Sequence, residues 1–329
     1  MYTADNERYD GTMPMRRCGK SGLKLPEISL GLWHNFGGVD YYENCRDILR
    51  TAFDNGITHF DLANNYGPPA GSAEETFGRM IKNDFRTYRD EMIISTKAGY
   101  DMWPGPYGDG GSKKYLISSL EQSLKRLSLE YVDIYYHHRF DSETPLEESM
   151  EALIQIHRQG KALYVGISNY NAEQTQRAIT ILKAHDVPCL VNQSKLNIID
   201  QQPIKQGLMD VVDDNGIGFV AFSPLAQGIL TDRYLKGIPD GSRAQKAHGF
   251  LQSSSITDDV LSKLTALNVL ATERQQSIAQ LAISWLLSQK AVTSVIVGAS
   301  SSAQLINNIG AAGKYLSEDE LHKIEQIIK

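Results

Sequence analysis

A short stretch of the sequence, THFDLANNYG at residues 58–67, carries an acid, two amides and a phenol directly after a β-like run. Asp61 would close that strand and Tyr66 follows it, while Lys97 and His138 close two later strand candidates. An ammonium held in place by a carboxylate favours phenolate, and so lowers the pKa of a neighbouring phenol. The four residues therefore form a credible proton-transfer group, with Tyr66 as its general acid.

His138 could complete this group from the far side of a pocket. A histidine there can hydrogen-bond a carbonyl oxygen, orient it and help to carry the negative charge that develops on it. The adjacent His137 would point to the other face of an extended strand, so the pair does not predict a chelated metal, and no HExxH motif offers another site. Carbonyl reduction would then need a cofactor, since no side chain donates a hydride.

These residues need a scaffold that brings strand ends together, and the sequence provides one. Amphipathic helical stretches alternate with eight apolar strand candidates: 28–33, 58–63, 91–98, 131–138, 162–169, 189–197, 218–224 and 294–300. The pattern predicts an α/β protein, a single (β/α)8 TIM barrel with an N-terminal β-hairpin and a long loop, 225–256, after strand seven. We expect a flexible tail over 1–12 and one barrel domain over 13–329.

The placement of polar residues fits such a barrel, whose chemistry lies where the carboxyl ends of the strands meet. Polar or glycine residues lie in or end the strands from the second to the eighth: Asp61, Lys97, His138, Ser168, Asn169, Gln193, Ser223, Gly298 and Ser300. Each alone is more simply a helix cap or turn former. Their joint placement favours an active site.

Composition excludes several other classes of function. The 329 residues have a formal charge of −6, which provides no basic footprint for nucleic acid or anionic lipid. No secretory h-region and no long apolar run occur, which argues against export and membrane spanning. Three cysteines without CxxC spacing indicate neither a disulfide framework nor a thiolate metal site. A cytoplasmic location fits best.

From about residue 13 to its end, the chain resembles the aldo-keto reductases. The matching stretches are GLWHNFGG, FDLANNYGPPAGSAEETFG, STKAGYDMWPGPYG, YVDIYYHHR, YVGISNY, FSPLAQGIL and VIVGASSSAQLINNIG. The likeness is strongest to the branch that includes bacterial L-glyceraldehyde 3-phosphate reductase and the β-subunits of voltage-gated potassium channels. It implies a catalytic tetrad of Asp61, Tyr66, Lys97 and His138, in agreement with the group inferred from placement.

The resemblance also implies NADPH bound across the top of the barrel. Ser168, Asn169 and Gln193 would hold the nicotinamide, and the stretch SPLAQGIL would wrap the pyrophosphate with backbone N–H groups. Arg243 and Ser300 suit a 2′-phosphate, which favours NADPH over NADH. The full set implied for the cofactor is Trp33, Asp61, Ser168, Asn169, Gln193, Ser223, Pro224, Leu225, Ala226, Gly228, Arg233, Arg243, Gly298, Ser300, Gln304 and Asn308.

For the substrate, the resemblance implies a pocket formed by Trp33, Tyr66, Trp103 and His138. It would accept small aldehydes such as glyceraldehyde, its 3-phosphate or methylglyoxal. The same branch suggests a homo-oligomer, a tetramer or an octamer. The chain ends at DELHKIEQIIK without the C-terminal loop of many members, which predicts an open pocket.

Two other readings remain. A channel-type regulatory β-subunit would bind NADPH mainly as a sensor, although channel subunits carry an amide where His138 stands. A class I aldolase would use Lys97 as a Schiff-base nucleophile, which requires a lysine of lowered pKa. We expect Asp61 to raise that pKa instead.

Overall fold

The computed structural model describes residues 2–235 and 256–329, and its central element is a closed barrel of parallel strands. A hairpin, β1 and β2, comes first in the chain, and the barrel runs in the order β10-β3-β4-β5-β6-β7-β8-β9. The strands are β1 Met15–Arg17, β2 Lys24–Pro26, β3 Ile28–Gly31, β4 His59–Asp61, β5 Ile93–Ala98, β6 Val132–His137, β7 Ala162–Ser168, β8 Cys189–Lys195, β9 Gly218–Phe222 and β10 Val292–Val297. The predicted TIM barrel and hairpin are confirmed.

Helices surround the barrel and cover its outer face. They are α1 Tyr42–Asp54, α2 Ser72–Met80, α3 Lys113–Leu127, α4 Leu146–Arg158, α5 Ala172–Ala184, α6 Gln202–Lys205, α7 Leu208–Asn215, α8 Asp258–Glu273, α9 Ile278–Leu287, α10 Ser302–Ile309 and α11 Glu318–Ile328. Several begin at residues whose side chains accept the unpaired N–H groups of the first turn, and capping boxes begin α5, α9 and α11 at Asn171, Ser277 and Ser317. In the described part of the chain, no helix is long and apolar enough to cross a membrane.

The interior of the barrel is apolar on one side and polar on the other. Alternate residues of each strand point inward, and Ile134, Tyr136, Val191 and Val220 form an apolar cluster there. The hairpin adds Cys18 and Leu25 to the same cluster, so it seals the amino-terminal end of the barrel. Fully buried serine and histidine side chains of β3, β4, β5 and β10 are bonded to one another in the polar part: Ser29, His59, Ser95 and Ser294.

Residues 2–12, expected to form a flexible tail, make specific contacts with the barrel. The Tyr2 hydroxyl donates to Asp54 of α1 at 2.5 Å, and the guanidinium of Arg8 pairs with Glu91 at 2.7 Å. The long loop predicted at 225–256 begins with two short 3-10 turns, Ala226–Gly228 and Asp232–Tyr234. Residues 236–255 of that loop lie outside the described residues.

Buried histidines make the fold sensitive to acid, and His59 and His137 are two of them. Burial lowers the pKa of His59, inside the barrel, and of His137, on its helix side, to about 4 each, from a usual value of about 6.5. Between these two values the unfolded chain binds more protons, so stability falls as the pH falls. We expect each histidine to remove up to about 3 kcal/mol of unfolding free energy between about pH 6.5 and pH 4.

Urea unfolding at a series of pH values measures this loss. Replacing His137 by Gln, which cannot titrate, should remove one histidine's share of the slope and leave the shares of His59 and His138. An identical slope in wild type and variant would show that His137 is not the source.

Candidate active site

Lys97 is the central residue of the site at the carboxyl ends of the strands. Its side chain is wholly buried, and its ammonium donates to Asp61 Oδ2 at 2.5 Å, to the carbonyl of Leu62 at 2.7 Å and to the hydroxyl of Tyr66 at 3.4 Å. An ammonium has three N–H donors, and each therefore has an acceptor. Lys97 is thus fixed in one orientation beneath Tyr66.

Asp61 is held from two directions. One carboxylate oxygen accepts from Lys97, and the other accepts from the Ser95 hydroxyl at 2.8 Å and from the Gln193 amide at 3.0 Å. These three bonds satisfy a carboxylate that is only 2% exposed. Asp61 therefore keeps its position beside Lys97, and its negative charge balances the charge of the buried ammonium.

Tyr66 and His138 face each other above this pair. Their ring centroids lie 5.9 Å apart, with the Tyr66 ring stacked on Trp33 at 6.0 Å and the His138 ring edge-on to Tyr100 at 4.7 Å. The backbone N–H of His138 donates to the Ala98 carbonyl, and its own carbonyl accepts from the Asn169 amide at 2.9 Å. An aldehyde oxygen that enters between the two rings would meet both polar groups.

The pKa of Tyr66 differs from the sequence-based expectation. We expected Lys97 to lower it, but burial, with a smaller contribution from Asp61, raises the pKa of Tyr66 well above 10. The phenol is therefore protonated throughout the physiological range. It holds a proton to give, but it is a weaker acid than free tyrosine until charge develops on a substrate oxygen.

His138 is neutral in this site. Burial, together with the positive charge of Lys97, lowers its pKa well below 6.5. A neutral imidazole can donate one hydrogen bond to a carbonyl oxygen without adding a second buried cation. This state suits the orienting role that the sequence predicts.

Lys97 also departs from one expectation. Burial lowers its pKa, and Asp61 opposes the change only in part, whereas we expected Asp61 to raise it. All three of its N–H donors nevertheless have acceptors, and its side chain has no exposed surface. An enclosed, fully bonded ammonium is a poor Schiff-base nucleophile, which counts against the aldolase reading.

A cleft of about 1060 Å³ opens over the tetrad. Most residues predicted from the sequence line it: Trp33, Asp61, Tyr66, His138, Asn169, Gln193, Ser223, Pro224, Leu225, Gly228, Arg233, Gly298, Ser300, Gln304 and Asn308. Residues from seven of the eight barrel strands or the loops that follow them therefore converge on one space. The volume is within the range typical of ligand and cofactor sites.

Four predicted residues do not line the cleft. Lys97 lies beneath its floor, Ser168 is buried with its hydroxyl accepting from the Asn169 amide, and Ala226 lies within the 3-10 turn beside the lining residues. Trp103, expected in the substrate pocket, instead packs its ring against Tyr115 at 5.1 Å. Arg243 lies outside the described residues.

Sequence reasoning missed several lining residues. Tyr100 and Asn65 lie near the tetrad, and Ser277 and Asn307 belong to a wall made by helices α9 and α10. The cue for Asn65 was present in FDLANNYG, directly before Tyr66. No cue marked the helix residues, because they come from a neighbouring unit and not from a strand end.

Backbone strain is concentrated in the loops of this cleft. Among the described residues, eight other than glycine have a positive φ, and five of them belong to the loops around the cleft: Asn35, Asn169, Ser223, Ala226 and Gln227. A left-handed conformation costs free energy in residues that have a Cβ atom, and such residues cluster at functional sites. The loops after β3, β7 and β9 therefore carry backbone strain beside the cleft.

The cleft has features that fit a dinucleotide. Neither polar atom of the Asn308 side chain has a hydrogen-bond partner among the described residues, although the residue is only 1% exposed. A Cβ atom added to Gly298 or Gly228 would meet nothing within 4 Å, so both positions leave open space for a ligand. Ser300 meanwhile bonds to Gln304 through its hydroxyl and its backbone N–H.

We expect replacement of Asn308 by Leu to weaken NADPH binding about tenfold, because the resemblance assigns this buried amide to the adenosine end of the cofactor and Leu could make no hydrogen bond there. Fluorescence titration with NADPH measures this change. The turnover number at saturating NADPH should stay within about tenfold of wild type, since no hydrogen bond joins Asn308 to the tetrad in the described structure. Unchanged affinity would contradict the assignment of Asn308 to the cofactor.

Comparison with known proteins identifies similar sequences. A family model described as the aldo/keto reductase family matches residues 27–329. The chain is 55% identical to L-glyceraldehyde 3-phosphate reductase of Escherichia coli (strain K12), over 100% of this chain and 96% of the relative. It is 37% identical to a probable voltage-gated potassium channel subunit beta of Arabidopsis thaliana, over 96% of this chain and 97% of that protein.

Proposed function

The chain belongs to the aldo/keto reductase family and is an NADP-dependent oxidoreductase, and from this premise we propose that it reduces small aldehydes to alcohols. Reductases of this family generally use NADP(H). Glyceraldehyde and its L-3-phosphate are the substrates we favour, because the 55% identical relative is named for the phosphate ester. Methylglyoxal is a further candidate of the same size and chemistry.

One observation carries the proposal: the Tyr66 oxygen accepts a hydrogen bond from the Lys97 ammonium. The phenolic proton is therefore not used in that bond and can be donated to a substrate oxygen. The ammonium also lies where it would stabilise the phenolate left behind. Tyr66 would thus act as the general acid, with Lys97 and Asp61 as the charged pair that supports it.

His138 would orient the aldehyde for this proton transfer. Its ring shares the cleft with Tyr66, so a carbonyl oxygen between them can accept hydrogen bonds from the phenol and the imidazole. Two donors aimed at one oxygen stabilise the negative charge that grows there during reduction. Trp33 would pack against the remainder of a small substrate.

NADPH, when bound, supplies the hydride that the protein lacks. We propose that Asn169, Gln193 and Ser168 hold its nicotinamide end, and that the turn 223–228 holds the pyrophosphate with Arg233. Ser300, Gln304 and Asn308 would hold the adenosine end, where the first turn of α10 offers unpaired N–H groups. Gln304 would have to release Ser300 to make that contact.

The direct test follows NADPH absorbance with glyceraldehyde, its L-3-phosphate and methylglyoxal as substrates. We expect turnover with at least one of the three, and slower turnover when NADH replaces NADPH. Tight binding of NADPH without reduction of any aldehyde would contradict the proposed reductase activity.

That second result would favour a regulatory role. The 37% identity to a probable channel subunit beta makes an NADPH-sensing subunit the alternative. His138 counts against it, because an imidazole in the cleft serves carbonyl chemistry. A cytoplasmic location and a homo-oligomeric state remain predictions, to be tested by cell fractionation and by sedimentation.

A further inference from the structure

A chain of hydrogen bonds crosses the polar part of the barrel interior and ends at Asp61. The Ser294 and Ser29 hydroxyls are 2.6 Å apart, and Ser29 lies 2.9 Å from His59 Nδ1. His59 Nε2 lies 3.0 Å from the Ser95 hydroxyl, which donates to Asp61 at 2.8 Å. All four residues of the chain below Asp61 are fully buried.

One arrangement of protons gives every member of this chain a donor and an acceptor. The carboxylate of Asp61 has no proton to give, so Ser95 must donate to it and must itself accept from His59 Nε2–H. Burial lowers the pKa of His59 to about 4, so its ring is neutral and Nδ1 carries no proton. Nδ1 then accepts from Ser29, and Ser29 accepts from Ser294.

The opposite tautomer of His59 would disturb the site. With the proton on Nδ1, the Ser95 hydroxyl would turn to donate to Nε2, leaving its oxygen 2.8 Å from the Asp61 carboxylate with no proton between them. The competing acceptor for Ser95, the Phe60 carbonyl, is distant at 3.5 Å. His59 protonated on Nε2 therefore leaves the Ser95 hydroxyl to donate to Asp61 and fixes the position of the Ser95 oxygen.

A polar chain inside a barrel core is costly, since each buried group must find a partner in a medium of low dielectric. Much of the rest of the barrel interior is filled by apolar side chains such as Ile134 and Val191. A core that needed only packing would be apolar throughout. The only charged residue in this series of hydrogen bonds is Asp61, at its end, and Asp61 binds Lys97.

We propose that His59 is a positioning residue for the reaction, acting through Ser95 to hold the Asp61 carboxylate against Lys97. The inference rests on the proposed reductase function. His59 touches neither Tyr66 nor the cleft, and its effect passes entirely through the hydroxyl of Ser95.

Kinetic measurements on variants test this route. Replacement of His59 by Met, an unbranched side chain without a donor, should lower kcat about ten- to one-hundredfold and leave the NADPH dissociation constant within about threefold. Replacement of His59 by Gln should restore most of kcat, because the amide nitrogen of Gln lies the same number of bonds from the backbone as Nε2 of His59 and also carries an N–H donor. Replacement of Ser95 by Ala should cause a loss at least as large as that in His59→Met.

The double variant His59→Met/Ser95→Ala distinguishes positioning from general damage. If His59 acts only through Ser95, the double variant has the kcat of Ser95→Ala alone. Additive losses would overturn the proposed route, as would an equal loss in His59→Gln and His59→Met. Ser284→Ala is the matched control, since Ser284 is another fully buried serine, bonded to Gln276 outside the barrel.

Two measurements need no turnover and separate this inference from the proposed function. Nitrogen-15 NMR of the histidine rings should show His59 protonated on Nε2, and a proton on Nδ1 would overturn the inference. A crystal structure of His59→Met should show the Ser95 side chain turned away from Asp61 or spread over several rotamers, and an unmoved Ser95 side chain would also overturn it. Absence of wild-type turnover would defeat the proposed function alone.

Discussion

Replacement of Tyr66 by Phe is expected to lower kcat/KM for aldehyde reduction by about two to four orders of magnitude, the range associated with a lost general acid. The ring would still stack on Trp33, and Lys97 would keep two of its three acceptors. The change therefore removes the transferable proton with little loss of packing. Steady-state kinetics and NADPH fluorescence titration measure the effect on chemistry and on binding separately.

Tyr100→Phe is the matched control, since Tyr100 contributes another phenol to the same cleft and packs edge-on to His138. Lys97 does not donate to it, so we expect kcat/KM to stay within about tenfold of wild type. Equal losses in the two variants would show that the cleft needs its tyrosine hydroxyls for shape or binding and that Tyr66 is not a special acid.

Replacement of Lys97 by Met should affect both activity and stability. Asp61 would remain as a buried carboxylate without its cation, and breaking a buried ion pair from one side costs about 3–5 kcal/mol. Activity should fall by at least about a hundredfold, because the phenolate of Tyr66 would lose the charge that stabilises it. Urea unfolding and steady-state kinetics test the two consequences independently.

The double variant Asp61→Asn/Lys97→Met separates the two effects. It removes both charges while leaving an oxygen at residue 61 for Ser95 and Gln193, so most of the lost stability should return. Activity should not return with it. Recovery of turnover in the double variant would contradict the role assigned to Lys97.

Much of the barrel could be predicted from the sequence, because its strands are short apolar runs between amphipathic helices. Each of the eight predicted strands overlaps a barrel strand, and the ends differ by only a few residues. The predicted tetrad could be found for a related reason: parallel strands of a barrel present their carboxyl ends on one face, so residues such as Asp61 and Lys97 must come close.

Other features depended on tertiary packing that no local pattern reports. The raised pKa of Tyr66 follows from burial, whereas its neighbour Lys97 alone indicated the opposite direction. Trp103 belongs to a loop rich in glycine and proline, and only the structure shows that its ring packs against Tyr115. The spacing of His59 and Asp61 indicates that their side chains point to the same side of the strand. Only the structure shows that a serine of the neighbouring strand links them by hydrogen bonds.

The sealed end of the barrel has a consequence for the order of events during turnover. Because the hairpin β1–β2 packs Cys18 and Leu25 against the interior cluster, the described structure leaves the tetrad open only toward the cleft. Under the proposed function, cofactor and aldehyde would both enter and leave through this cleft, and a cofactor bound beneath the aldehyde would bind first and leave last. This binding order predicts inhibition by excess aldehyde, because an aldehyde bound in the cleft would prevent the oxidised cofactor from leaving.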